Sequence, residues 1–514
     1  MKWRILDIVA LAQKYFLSPA LLPVVISGCL LLAAVSLIDG ALAIGVILSV
    51  FLLCLTLFFI DKYGEEGERA RLKKLFIIAF LIHIGVVLFI YYANFQPFSG
   101  GYGDYVIYQR QGEEIAQRVH QGNLSLEGIF LGVNHYYPVI IGYLYTITLP
   151  SMLMGQLLNA WLVALAVILV YLLARQIGGN KNSSFLAALA AVFYPSLAFY
   201  GSLMLKDALV ATVALAGLLL AVRIIKNFSI PAFALFFAVL IAIVNIRFYV
   251  GYAVMFSFII SWFIASPITF KKRFFYGVVM IALLGLVPQM LGTGYYGSNN
   301  FKQFLNAKGI TYYREVVYAP PAPKAQPAAA DNQPAVTPAI QVPSEPANER
   351  AEEMLKEEVK VVASDPTVPA VKNNLGHSSS VVIKTGLDNP VTFVKNSLWS
   401  FVGVLLGPFP WTFTKLRHLF SVPEVLAWWL LLFFIARGVV VSIKTGNKIV
   451  LPLLIFSGMV LGVLALFMSN FGIITRIRIS AFLALLCILP LGLHNLDQNK
   501  MLEKLKTFKI PFLK

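Results

Sequence analysis

Residues 100–131 read GGYGDYVIYQRQGEEIAQRVHQGNLSLEGIFL, the longest strongly polar passage in the first half of a chain otherwise dominated by apolar runs. Asp104 lies in that passage. Elsewhere, Lys206 in SLMLKDA, Arg247 in NIRFYVG, and Arg476 and Arg478 in NFGIITRIRIS are cations at the ends of apolar runs. Ionisable groups at membrane depth are costly and by default face a cavity, a partner or a substrate. Several cations on one face suit an anion, and guanidinium groups suit phosphate because they stay charged and present a planar fork of donors. A carboxylate facing such a site could accept a proton from an attacking hydroxyl. Plainer roles compete with these. Gly103-Asp104 has the form of a helix N-cap, Lys206 and Asp207 could simply pair with other polar groups, and Arg476 could snorkel to lipid headgroups.

The elements that must position these residues are membrane spans. The 514 residues are 59% hydrophobic and 13% charged, beyond what a soluble core could use, so the chain reads as an all-α polytopic membrane protein. The net charge of +17 resides mostly in short clusters beside apolar runs, as cytoplasmic anchors do, and nucleic acid is not an expected partner. Cys29, Cys54 and Cys487 all fall inside apolar runs and read as packing residues. About 12 spans are expected, near 18–37, 41–60, 75–92, 152–173, 183–201, 207–222, 229–245, 249–268, 274–292, 423–442, 449–468 and 479–494. With the N-terminus cytoplasmic, nearly every short inside loop is basic and the lysine-rich C-terminal tail is also cytoplasmic. Asp104 and the four cations then share the opposite face.

Four segments follow: 1–74, a two-span hairpin with a cytoplasmic loop; 75–292, a membrane core with a large external loop at 93–151; 293–422, external; and 423–514, C-terminal spans and basic tail. Residues 319–348 are rich in Pro and Ala and read as an extended linker, followed by a charged helix over 349–362. Residues 389–422 are apolar but interrupted by Gly407-Pro408 and Pro410, which predicts a re-entrant or interfacial segment. Within the external loop, Val106, Ile107, Ile115 and Val119 recur at near-helical spacing beside Gln109, Arg110, Glu113, Glu114 and Arg118, so an amphipathic surface helix with an aspartate at its start is expected.

The order GDYVIYQRQGEEIA, NHYYPVIIGYLYTI, LLARQIGG, FYPSLAFYGSLMLKDALVA, with NIRFY, GPFPW and NFGIITRIR later, resembles the bacterial GT-C superfamily glycosyltransferases related to protein mannosyltransferases and aminoarabinose transferases. The likeness lies mainly in residues 95–225. It implies a GT-C-like fold with surface-lying helices in the first large external loop, in a bacterial inner membrane. It also implies a polyprenyl-phosphate-linked sugar as donor and a glycan, lipid or protein acceptor. By the same resemblance Asp104 would be the general base of an inverting transfer. The cations Lys206, Arg247, Arg476 and Arg478, singled out above by charge and position, would then hold the donor phosphate, and Tyr102, His135, Tyr136 and Asp207 would line the substrate pocket. No cofactor is required, although a divalent metal is compatible with the superfamily. Two other classes share many of these features. A polysaccharide polymerase or ligase would use a diphosphate-linked donor, and a transporter would carry its key charges midway along broken helices.

Overall fold

The computed structural model describes residues 37, 39–95, 103–125, 136–290, 294–299, 302, 310, 389–409, 411, 421–468 and 471–493. Among these residues all regular structure is helical. In chain order the helices are α1 (Gly40–Tyr63), α2 (Arg69–Ala93), α3 (Asp104–His120), α4 (Tyr137–Ile147), α5 (Met152–Gln176), α6 (Lys181–Val192), α7 (Pro195–Gly201), α8 (Asp207–Lys226) and α9 (Ile230–Ile246). Then follow α10 (Phe248–Ala265), α11 (Phe270–Met290), α12 (Pro390–Leu406), α13 (Val422–Lys444), α14 (Leu451–Phe467), α15 (Phe471–Ile477), α16 (Ile479–Leu486) and α17 (Leu489–Leu493).

Eight of these are long and apolar enough to cross a membrane, taking α14 together with the helical turn Lys448–Val450 before it. The chain is a multi-pass, all-α membrane protein. Of the twelve expected spans, three take a form other than one long straight helix among the described residues, for local reasons. The run at 183–201 is bent by 54° between α6 and α7, where Pro195 starts a new helix and would be the ninth span if the pair is counted as one. The run at 229–245 gives a helix of 17 residues, about 25 Å at 1.5 Å per residue, at the short end of the ~17–25 residues that cross a membrane. The run at 479–494 breaks at Cys487 into α16 and α17. The spans expected at 18–37, the linker at 319–348, the charged helix at 349–362 and the C-terminal tail from 494 onward lie outside the described residues.

Helices α5 and α8 form the centre, each with 72% of its apolar window buried, and α5 packs against both α2 and α8. Lipid is as apolar as leucine, so helix association here depends on close packing and polar ties rather than on escape from water. One set of ties lies at the α2 start and α5 end: Tyr171 donates to the buried Glu68, whose other oxygen is 3.4 Å from Arg175 Nε and 3.5 Å from Lys181 Nζ. Lys226, at the end of α8, donates to the Gln176 carbonyl at that same end. The candidate site is at the opposite end of α8, where Asp207 begins the helix.

In the chain, α3 and α4, the two helices of the large loop, come between α2 and α5. The buried face of α3 is Tyr105, Tyr108, Gly112, Ile115 and Ala116, an i, i+3, i+7, i+10, i+11 stripe. Of the apolar residues expected to define that face, Ile115 is buried, whereas Val106 and Ile107 are 44% and 46% exposed on the other side. Two glycines set the crossing. A Cβ at Gly142 of α4 would lie 2.4 Å from Ile115 Cγ2, and one at Gly112 of α3 would lie 2.8 Å from Ile141 Cγ2. Gly142→Ala should therefore cost about 1–3 kcal/mol through overpacking, read as a lower thermal midpoint of the detergent-solubilised protein. Ile115→Ala in the same chain should restore part of it; an unchanged midpoint in Gly142→Ala would mean that the helices do not meet so closely.

Candidate functional site

The site is built from four breaks between helices. Asp104 opens α3, Lys206 and Asp207 open α8, Arg247 is the extended residue between α9 and α10, and Arg476 is in the last turn of α15. Helix ends are where backbone stops filling space and long polar side chains can converge. Arg476 bridges two carboxylates: its Nη2 donates to Asp104 Oδ2 at 2.6 Å, and its Nε donates to Asp207 Oδ2. Arg247 Nη1 donates to Asp207 Oδ1 at 2.7 Å. Both oxygens of Asp207 are thus engaged, each by a different arginine.

Exposure separates the members. The side chains of Asp207, Arg247 and Arg476 are 3%, 8% and 17% exposed, whereas that of Asp104 is 47% exposed. Asp207 is a buried strut between two guanidinium groups. Asp104 is the carboxylate that faces outward, and its Oδ1 has no hydrogen-bond partner among the described residues. The expected N-cap role is not observed. Gly103 occupies the cap, Asp104 is the first helical residue, and no side chain caps the helix. Its charge still complements the positive end of α3. Burial opposes the charge on Arg476, but the Asp207 and Asp104 carboxylates outweigh it and hold the guanidinium firmly protonated.

Lys206, just ahead of α8, is 5% exposed, and its side chain makes no hydrogen bond or ion pair among the described residues. Burial, and behind it the positive charge of Arg247, push its ammonium down to about 7, against the pull of Asp207 and Asp104. Counting formal charges, Lys206, Arg247 and Arg476 against Asp104 and Asp207 give +3 − 2 = +1. Since the two arginines are already paired, the uncompensated charge belongs to Lys206.

Arg478 goes elsewhere. It is 1% exposed; its Nη1 donates to the carbonyls of Val404 (3.1 Å) and Gly407 (2.5 Å), its Nη2 lies 3.3 Å from Glu424 Oε1, and the guanidinium sits 4.7 Å from the centre of the Phe482 ring. Ser196 donates to the same Glu424 carboxylate, at 2.7 and 2.6 Å from its two oxygens. Trp428 and Trp429 donate to the Leu405 and Leu406 carbonyls at 2.8 and 2.9 Å. Together with Arg478 they satisfy the carbonyl end of α12, which would otherwise be unpaired in apolar surroundings.

Of the remaining expected pocket residues, Tyr136 is at the start of α4 and 46% exposed. Tyr102 and His135 lie outside the described residues.

The residues that hold the cluster in place were not among those expected from the sequence. Asn159, fully buried about two turns into α5, donates both amide hydrogens, to the carbonyls of Leu203 (2.6 Å) and Leu205 (2.8 Å). Its Oδ1 accepts from Tyr137 at 3.0 Å, and the Tyr137 ring meets Tyr108 of α3 edge-to-face at 5.3 Å. Their signal was a lone amide within the apolar run LLNAWLV. Burial, reinforced by the Asp104 charge, holds the Tyr108 phenol above its usual range, so it stays neutral.

Among the described residues no three His, Cys, Asp or Glu side chains come together as a metal-binding group. An apolar hollow of about 280 Å³ lined by Leu406, Trp429, Leu432, Phe433 and Ala436 shares no residue with the charged cluster. Fold and site together define a polytopic helical membrane protein with an outward-facing carboxylate anchored on a buried cationic cluster. No protein-family model and no curated protein matches the chain.

Proposed function

We propose that this protein is a membrane glycosyltransferase that moves a sugar from a polyprenyl-phosphate carrier to an acceptor hydroxyl at the non-cytoplasmic face of a bacterial inner membrane. The observation that carries the reading is Asp104: half-exposed, with one oxygen unpaired among the described residues, and tied through Arg476 to a buried cluster whose net charge is positive.

Asp104 Oδ1 takes the proton of the acceptor hydroxyl as that oxygen attacks the anomeric carbon from the face opposite the phosphate. The new bond to the anomeric carbon forms as its bond to the phosphate oxygen breaks. The electron pair leaves on that oxygen, so configuration inverts. The donor is a phosphodiester carrying one negative charge and the product lipid phosphate carries two. Protonation of Asp104 simultaneously removes one of the two carboxylates that compensate Arg476. The cluster therefore becomes more positive at the moment the leaving group becomes more negative, a gain specific to the transition state. Lys206 and Arg247 supply the remaining positive potential. Arg478, whose Nη1 and Nη2 are engaged by α12 and Glu424, serves the fold in this scheme.

A net charge of +1 suits a phosphodiester better than a diphosphate-linked donor. The test is binding of the lipid products that the two donor classes would leave, geranylgeranyl monophosphate and geranylgeranyl diphosphate, to the purified full-length chain. The monophosphate should bind the wild type, and Arg476→Ala should weaken that binding by about 1.5–3 kcal/mol, the worth of a charge-assisted contact. The anion should also raise the Lys206 pKa from about 7, so binding takes up a proton. Affinity should then fall by about tenfold per pH unit as pH rises above that value, and Lys206→Met should abolish the fall. Tight diphosphate binding with none of the monophosphate would move the chain to the polymerase or ligase class.

A further inference from the structure

A turn can hold a lysine away from water only if its backbone is fixed from outside. Residues 203–205, which lead into Lys206 and Asp207, are held by Asn159: one amide hydrogen goes to the Leu203 carbonyl at 2.6 Å and the other to the Leu205 carbonyl at 2.8 Å. The amide itself is oriented by Tyr137, which donates to its Oδ1 at 3.0 Å, and Tyr137 packs on Tyr108, four residues from Asp104 on α3. Asn159 is fully buried, so no water can substitute for these bonds, and a side chain lacking either donor would leave a carbonyl unpaired.

We propose that Asn159 is the positioning residue for Lys206 and Asp207, and that Asn159, Tyr137 and Tyr108 form one bridge that fixes this pair relative to the helix carrying Asp104. Calling the fixed pair a donor-phosphate site rests on the function proposed above; the positioning does not. Leucine at 159 would fill the same volume but release the turn. Lys206 would then swing toward water and away from the charges that face it, namely Arg247, Arg476, Asp207 and Asp104.

The experiment is competitive acetylation of the full-length chain in detergent with acetic anhydride, following Lys206 by mass spectrometry across about pH 6 to pH 10, below the free-lysine value of ~10.4. This reads the ionisation of Lys206 separately from its accessibility. Wild type should show an inflection at about 7. Asn159→Leu should raise it by at least about one unit toward the free-lysine value. Tyr137→Phe, which leaves both Asn159 donors in place, should raise it by less. General destabilisation without a moved turn would leave the inflection where it is. An unshifted Lys206 in wild type, or an inflection that stays put in Tyr137→Phe and in monodisperse Asn159→Leu, overturns the proposal. If Asn159→Leu cannot be purified, Tyr137→Phe decides alone by the same criterion. A second arm adds geranylgeranyl monophosphate to wild type. Protection of Lys206 supports the donor reading, and absence of protection removes that reading while the effect of the variants still decides the positioning.

Discussion

Asp104→Asn should leave a folded protein that binds lipid phosphate at least as well as wild type and turns over about 10²–10⁴-fold more slowly, the usual cost of losing a general base. The amide oxygen can still accept from Arg476 Nη2, so the geometry of the 2.6 Å contact survives without the charge. Cluster charge rises from +1 to +2, which favours an anionic donor. The cost in stability should be small, because the Asp104 carboxylate is 47% exposed, its ion pair is screened by solvent, and it accepts no capping hydrogen bond from α3. The loss should therefore appear in kcat, with donor affinity preserved. Asp104→Ala should be equally inactive. Near-normal turnover in Asp104→Asn would remove the base assignment. The next carboxylates to test on α3 are Glu113, which accepts from Gln109 at 2.5 Å, and Glu114, which pairs with Arg118 at 2.7 Å.

Asp207→Ala should have the opposite character: a severe loss of stability. It leaves Arg247 and Arg476 without their shared counter-charge in a site where their side chains are 8% and 17% exposed. Removing one partner of a buried ion pair typically costs about 3–5 kcal/mol, because the charge left behind can neither reach water nor neutralise itself. The measurement is thermal unfolding of the solubilised protein together with the monodisperse fraction after purification. Asp207→Ala combined with Arg247→Leu should lose less than Asp207→Ala alone, since the second change removes one uncompensated charge. Wild-type stability in Asp207→Ala would mean that Asp207 is not the strut between the two arginines.

The contrast between these two aspartates also shows what could be read from the sequence. Apolar runs place residues along the membrane normal, so the ends of spans, and the charges that gather at them, were legible: Asp104, Lys206, Asp207, Arg247 and Arg476 all converge. Runs say little about the direction in which a side chain leaves its helix. Arg476 and Arg478 were grouped by depth, yet two residues correspond to about 200° of helical rotation, and they serve separate clusters. The same limit hid the inner face of α3, where Tyr105 and Tyr108 pack inward while Val106 and Ile107 do not. Run length also says little about how far a helix reaches: α9 is apolar throughout but 17 residues long, at the short end of the ~17–25 residues that cross a membrane. Asn159 could have been found, since an amide amid leucines and valines has to satisfy its hydrogen bonds within the protein; that its partners would be the carbonyls before Lys206 required the fold.

The central claim is that the carboxylate and the cationic cluster act together on a lipid-phosphate sugar. Its most direct test is release of free polyprenyl monophosphate from a panel of polyprenyl-monophosphate-linked sugars by the full-length chain in proteoliposomes, with a cell-envelope extract supplying acceptors. Wild type should release polyprenyl monophosphate from at least one donor, and Asp104→Asn in the same vesicles should release almost none. Release from diphosphate-linked donors alone, or equal release by wild type and Asp104→Asn, would contradict it.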